Sequence, residues 1–143
     1  NETVEFHGRW HHIESAGINP LPVQRPVPIW MGAGAPGMPV GPSRVLERVG
    51  RLADGYFPLC EAGDTARTLI DTVKRYALEA GRNPDDLKIE GRIELNGTPE
   101  DWKTALTAWQ DLDADFVSIS TARTPFNTPD EHIQAIKTFK DII

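Results

Sequence analysis

Four times between Pro26 and the C-terminus a short apolar strand pattern gives way to an amphipathic helix, each unit taking about 28 residues. The first unit, residues 26–57, is PVPIWMGAGAPGMPVGPSRVLERVGRLADGYF. Pro26 and Pro28 bring the chain in extended, because proline lacks an amide donor and restricts the residue before it. Val27, Ile29, Trp30 and Met31 form an apolar run without polar alternation, which predicts a strand buried on both faces. Gly32, Gly34, Gly37 and Gly41 then leave the backbone uncovered ahead of a helix. Ser43 is the expected N-cap of that helix, with Val45, Leu46, Val49 and Leu52 at helical spacing behind it. A glycine loop entering a helix N-terminus offers free N–H groups and the positive end of a dipole, which suits a phosphate. The alternative is a loop that merely needs flexible residues.

The remaining units follow the same plan. A second strand runs from Gly55 to Leu59, and Asp64 is the expected cap of a helix with Leu69, Ile70, Val73, Tyr76 and Ala77 on one face. Gly81 suits the position just past its end, and Asn83-Pro84 stops it. LKIEGRIEL, residues 87–95, alternates as a third strand. Its Glu90, Arg92 and Glu94 would line the mouth of a closed parallel barrel, or mean nothing on a solvated edge. Thr98-Pro99 opens a third helix whose stripe is Trp102, Ala105, Leu106, Trp109 and Leu112. DFVSIS, residues 115–120, is the fourth strand. Thr128-Pro129-Asp130-Glu131 is a capping box launching the last helix, with Ile133, Ile136, Phe139 and Ile143 as its expected inner face.

Ahead of these units lie a small hairpin over residues 3–13, with Gly8 at its turn, and a stiff Pro-rich connector, INPLPVQRPVP. The division is therefore 1–28 for hairpin and connector, and 29–143 for the strand–helix units. His7, His11 and His12 raise a metal reading, but adjacent strand side chains face opposite ways and no carboxylate pair completes a zinc-type set, so no metal site is assigned.

An eight-fold barrel takes about 250 residues, so these 143 amount to an α/β fold of one parallel (β/α)4 half of a TIM barrel. Half a barrel leaves two strand edges and an inner face uncovered. Another chain or an N-terminal half is expected to cover them. The net charge of −6 disfavours a nucleic-acid or anionic-membrane surface, and no apolar stretch approaches the roughly 20 residues of a span. The single cysteine, Cys60, excludes an internal disulfide and fits a reducing cytoplasm. At the end of a strand, Cys60 is also a weak nucleophile candidate without an evident His partner. Thr121, Arg123 and Thr124 follow the fourth strand, where parallel folds gather ligands. Arg123 reads equally as an anion-binding residue and as a surface Arg paired to a helix carboxylate.

Taken in order, GRWHHIESAGINPLPVQRPVPIWMGAG, RVLERVGRLADGYFP, AGRNPDDLKIE and DFVSIS…TPDEHIQAIKTF resemble the C-terminal half of a luciferase-like monooxygenase, in the branch that uses the deazaflavin coenzyme F420. The resemblance implies a TIM-barrel oxidoreductase acting on a small organic substrate by hydride transfer or oxygen activation, with F420, or alternatively FMN, at the C-terminal mouth. It places the cofactor phosphate at Gly32, Ala33, Gly34, Gly41, Ser43, Arg44 and Val45. Trp30, Thr121 and Arg123 are the corresponding substrate candidates. It names no catalytic acid or base, because the first four units supply most groups near the reacting carbon. A homodimer or association with an N-terminal half is the expected assembly, and an inactive, self-associating half-barrel is the alternative.

Overall fold

The computed structural model describes residues 3–17, 20–34, 38 and 40–143. Ile18 and Asn19 of the connector, and Ala35, Pro36, Gly37 and Pro39 of the glycine loop, lie outside the described residues. Strands β1 (Val4–His7) and β2 (His12–Ala16) pair antiparallel as a separate ribbon. Then come β3 (Trp30–Ala33), α1 (Ser43–Leu52), β4 (Gly55–Pro58), α2 (Asp64–Glu79), a 3-10 turn (Pro84–Asp86), β5 (Lys88–Glu94), α3 (Pro99–Gln110), β6 (Phe116–Ser120) and α4 (Pro129–Ile142). The main sheet has the order β3-β4-β5-β6, all parallel and in chain order, as half of a (β/α)8 barrel requires.

Pleating divides the sheet into two faces. Met31, Ala33, Tyr56, Pro58, Ile89, Gly91, Ile93, Val117 and Ile119 alternate onto the helix side, where nearly all the core lies. Leu46, Val49, Leu69, Ile70, Val73, Trp102, Trp109, Ala135 and Phe139 cover it from the helices. The opposite face carries Trp30, Gly32, Phe57, Glu90, Arg92, Glu94, Phe116, Ser118 and Ser120. Trp30 on one edge strand meets Phe116 on the other, with ring centroids 5.7 Å apart. In a flat sheet those strands stand about 14 Å apart, so the contact reports a strongly curled, concave surface.

That curvature corrects the expectation for the first strand. Trp30 is 40% exposed and Ile29 50%, because among the described residues no helix covers this face and β3 is the edge of the sheet. Val27 and Ile29 precede the strand, which begins only at Trp30. Two caps also shift by one residue. Pro42 and Gly63 occupy the N-cap positions of α1 and α2, with no side-chain cap bond, while Ser43 and Asp64 are already helical. In α1, Leu52 faces solvent and Gly50 is buried in its stead. In α4, Ala135 and Phe139 are buried whereas Ile133, Ile136 and Ile143 are exposed. The apolar spacing of α4 holds two overlapping stripes, and only one of them meets this sheet. Thr98 and Thr128 form the full capping boxes, with Asp101 and Glu131 closing them.

The strand bottoms share a repeated clamp. Asp54 donates its amide to the Ile29 carbonyl and accepts the Ile29 amide on Oδ2, both at 2.8 Å. Asp115 does the same with Ile89, at 2.9 and 2.8 Å, and adds Lys88 Nζ at 2.9 Å. Each carboxylate satisfies a backbone donor where the ladder has not yet begun. Partial burial pushes the Asp115 carboxyl up, but the Lys88 bond, the Ile89 amide and the Lys88 and Lys74 charges outweigh it, and its pKa falls below the ordinary value. Asp101, through Thr98, and Glu131, through the Asn127 and Thr128 amides, are also lowered. A carboxylate with a depressed folded pKa contributes stability above its unfolded pKa of about 4, lost as pH falls through the folded value. Urea unfolding below about pH 4 is therefore expected to show falling stability, with a shallower acid slope in Asp115→Asn. An unchanged slope would remove Asp115 from this account.

Candidate functional site

The glycine loop leaves β3 at its C-terminal end and returns to it before α1. Gly34 has φ +113°, a conformation that side chains rarely adopt. A Cβ on Gly41 would meet Ala33 Cβ at 3.3 Å and the Gly34 amide nitrogen at 3.4 Å, so the two ends of the loop touch. Ala33, Gly34 and Gly41 thus come together just ahead of the first turn of α1, while Gly32 lies within β3 against Phe57. That turn carries no acidic residue and no side-chain cap. Val45 and Leu46 donate to the Pro42 carbonyl at 2.8 and 3.3 Å, so the Val45 amide is engaged within the helix. The Ser43 and Arg44 amides have no backbone acceptor among the described residues. Arg44 is exposed and forms no ion pair among them. Open glycine backbone, two orphan amides, an uncompensated dipole and a nearby guanidinium are a donor set for a phosphate.

Across the concave face, β5 and β6 deliver a polar cluster at the same end of the sheet. Arg92 Nη2 lies 2.9 Å from Glu94 Oε1 and donates to Ser120 Oγ at 2.7 Å. Ser120 Oγ also accepts the Ala122 amide at 3.2 Å, which ties the β6 loop to Arg92. Glu94 Oε2 is buried without a partner. The charge alternation of LKIEGRIEL therefore lies on the concave face, the first of its two readings. Thr121 holds the following turn by accepting the Thr124 hydroxyl at 2.6 Å. Arg123 forms no ion pair or hydrogen bond among the described residues.

Arg92, Glu94 and Arg123 line a cavity of about 610 Å³ whose walls include Trp102, Trp109 and Cys60. The helical stripe read from sequence as core thus also serves as a cavity wall. Burial, then the Glu61 charge, pushes the Cys60 thiol up, leaving the thiol rather than the thiolate at neutral pH. Tyr56, fully buried on the helix side, has an unpartnered hydroxyl whose pKa burial raises further. Trp30 is at the other end: it starts β3, and its indole covers Gly55, where a Cβ would overlap the ring. It floors the concave face rather than its mouth. His7 and His12 face each other across the hairpin with ring centroids 5.7 Å apart. Among the described residues no group of three or more His, Cys, Asp or Glu is placed to hold a metal ion.

A curled parallel sheet with its strands in chain order and helices on its outer face is part of an α/β barrel. The family profile for luciferase-like monooxygenases matches residues 1–94, and the chain belongs to that family. Its fold is shared with the coenzyme F420-dependent tetrahydromethanopterin reductase from Methanopyrus kandleri, at TM-score 0.61 and 12% identity over 98% of this chain and 57% of the reductase. The chain thus spans little more than half the length of that relative. An F420-dependent secondary alcohol dehydrogenase (TM-score 0.48, 15% identity, 99% of this chain and 48% of that one) and a long-chain alkane monooxygenase (0.47, 21%, 78% and 24%) superpose too loosely to carry an argument.

Proposed function

We propose that the chain is the C-terminal half-barrel of an oxidoreductase that uses F420, with FMN as the alternative cofactor, on a small organic substrate. The observation that carries this is the pair of Ser43 and Arg44 amides at the start of α1, without an acceptor among the described residues, beside Gly34 and Gly41 and with no carboxylate in the first turn. Gly32, Ala33, Gly34, Gly41, Ser43 and Arg44 would hold the cofactor phosphate, with Val45 contributing only as part of the turn. The cofactor supplies the redox chemistry when bound; this chain orients it and shapes the mouth through Thr121 and Arg123. Residues 29–143 form the half-barrel in this reading, and residues 1–28 an appended arm. A cytoplasmic location belongs to the same reading.

Fluorescence titration with F420 and with FMN tests it. Binding of at least one is expected, weakened about tenfold by Arg44→Ala through loss of a charge-assisted contact. Failure of the chain, alone or assembled, to bind either cofactor would overturn the proposal.

The open edges of β3 and β6, with Phe116 54% exposed, favour a second reading: a self-associating half-barrel without turnover. A homodimer, or docking onto an N-terminal half, would cover those edges. Sedimentation equilibrium decides, and a monomer that stays in solution at high concentration contradicts the self-associating form.

A further inference from the structure

We infer that the cavity between α3 and the β4–α2 and β6–α4 loops takes an anion with an apolar body, and that Arg123 and Arg92 read its charge. The inference rests on the oxidoreductase reading and names its substrate class. The cavity, about 610 Å³, is large enough for a small organic molecule. Trp102 donates its indole N–H to the Asn96 carbonyl at 2.8 Å, and Trp109 donates to the Arg92 carbonyl at 3.2 Å. With both donors engaged, what the indoles show to the cavity is apolar, a small part of Trp102 (6% exposed) and very little of Trp109 (1%), continued by Ala62, Ala105 and Ala108.

The polar rim decides the sign. Five charged groups line the cavity: Arg92, Arg123, Glu61, Glu94 and Asp101. Asp101 is committed to the Thr98 amide and hydroxyl in its capping box. Glu94 is paired with Arg92 through Oε1, and Ser120 Oγ also holds that Arg92, while Glu94 Oε2 has no partner among the described residues. Glu61 is solvated at the outer rim beside Cys60. Arg123 alone among the rim cations is without a partner among the described residues, and the Arg92–Ser120–Ala122 chain fixes the loop that carries it. Arg92 uses only Nη2 in these bonds, so its Nε and Nη1 remain as donors.

The test uses the full chain, with 4-phenylbutyrate and its neutral isostere 4-phenylbutyramide as probes, followed by tryptophan fluorescence. The carboxylate is expected to bind about tenfold tighter than the amide. Arg123→Gln should abolish the preference without moving the unfolding midpoint, and Arg123→Lys should restore part of it. The double variant Arg92→Gln/Glu94→Gln removes both charges together, leaves no unpaired ion, and should lower the preference only in part while Arg123 remains. Equal binding of the two probes, no binding of either, or a preference that survives Arg123→Gln overturns the inference. FMN and F420 titrations of the same variants separate the two proposals. Cofactor binding unchanged by Arg123→Gln supports a substrate site; cofactor binding lost in step with phenylbutyrate assigns the anion to the cofactor tail and overturns it. A chain that prefers the carboxylate but binds neither cofactor overturns the oxidoreductase reading alone.

Discussion

Trp109→Ala is expected to remove about 3–5 kcal/mol of folding stability, the cost of deleting a buried indole and leaving a cavity. Trp109 is 1% exposed and its ring lies directly over Gly91 of β5, where any Cβ would overlap it. The contact seats α3 on the sheet, and the indole N–H bond to the Arg92 carbonyl fixes the ring's rotation. A domain of this size has roughly 5–15 kcal/mol in total, so the loss approaches unfolding at ambient temperature. Urea denaturation checks it, and a second comparison isolates the mechanism. Gly91→Ala should be costly in the natural background and mild beside Trp109→Ala, because the colliding ring is gone. Additive effects would show that the ring and Gly91 are not coupled as the structure has them. Since the same indole walls the anion cavity, Trp109→Ala should also weaken phenylbutyrate binding in whatever fraction remains folded.

Arg82→Ala is expected to cost about 2–4 kcal/mol, the range for losing two hydrogen bonds from a charged donor. Arg82 follows α2 but acts on α1: Nη1 donates to the Gly50 carbonyl at 2.6 Å and Nη2 to the Ala53 carbonyl at 2.7 Å. It therefore places a cation on the negative end of the α1 dipole and ties that end to the α2 exit. Its approach to Asp54 is 4.0 Å, between partly exposed side chains, and adds little. Arg82→Lys should recover less than half the loss, because an ammonium on a single stem cannot span two carbonyls as the planar fork does. Thermal unfolding of the three forms measures this. If Lys restores full stability, the forked geometry is not what matters. α1 carries the amide turn of the candidate phosphate site at its other end, so a loosened Arg82 clamp should also weaken cofactor binding.

Much of the fold was legible in the residues because local rules and tertiary demands agree. Thr98-Pro99 and Thr128-Pro129 announce their helices through capping boxes that the structure completes, and Gly81, at φ +76°, ends α2 as its position required. The parallel order of the strands followed from the alternation of strands and helices. The misplaced features are those where a neighbour decides. Ser43 and Asp64 look like caps, yet the backbone turns one residue earlier, at Pro42 and Gly63. Ile133 and Ile136 fit a helical stripe as well as Ala135 and Phe139, and spacing alone does not say which stripe finds the sheet.

The candidate site divides the same way. Glycines, the helix start and Arg44 could be read locally, because a donor-rich turn is made by neighbours in sequence. The Arg92–Glu94–Ser120 cluster, the indole walls contributed by α3 and the lack of a partner for Arg123 among the described residues could not, because they depend on how two separate strand–helix units come together. Sequence by itself determined the strand–helix rhythm, the helix signals and the amide-rich turn, since each depends on residues a few positions apart. Tertiary structure alone decided which face of each strand is covered, that Trp30 floors the concave surface, and which charges share a cavity. Those outcomes depend on how far the sheet curls and on what packs against it.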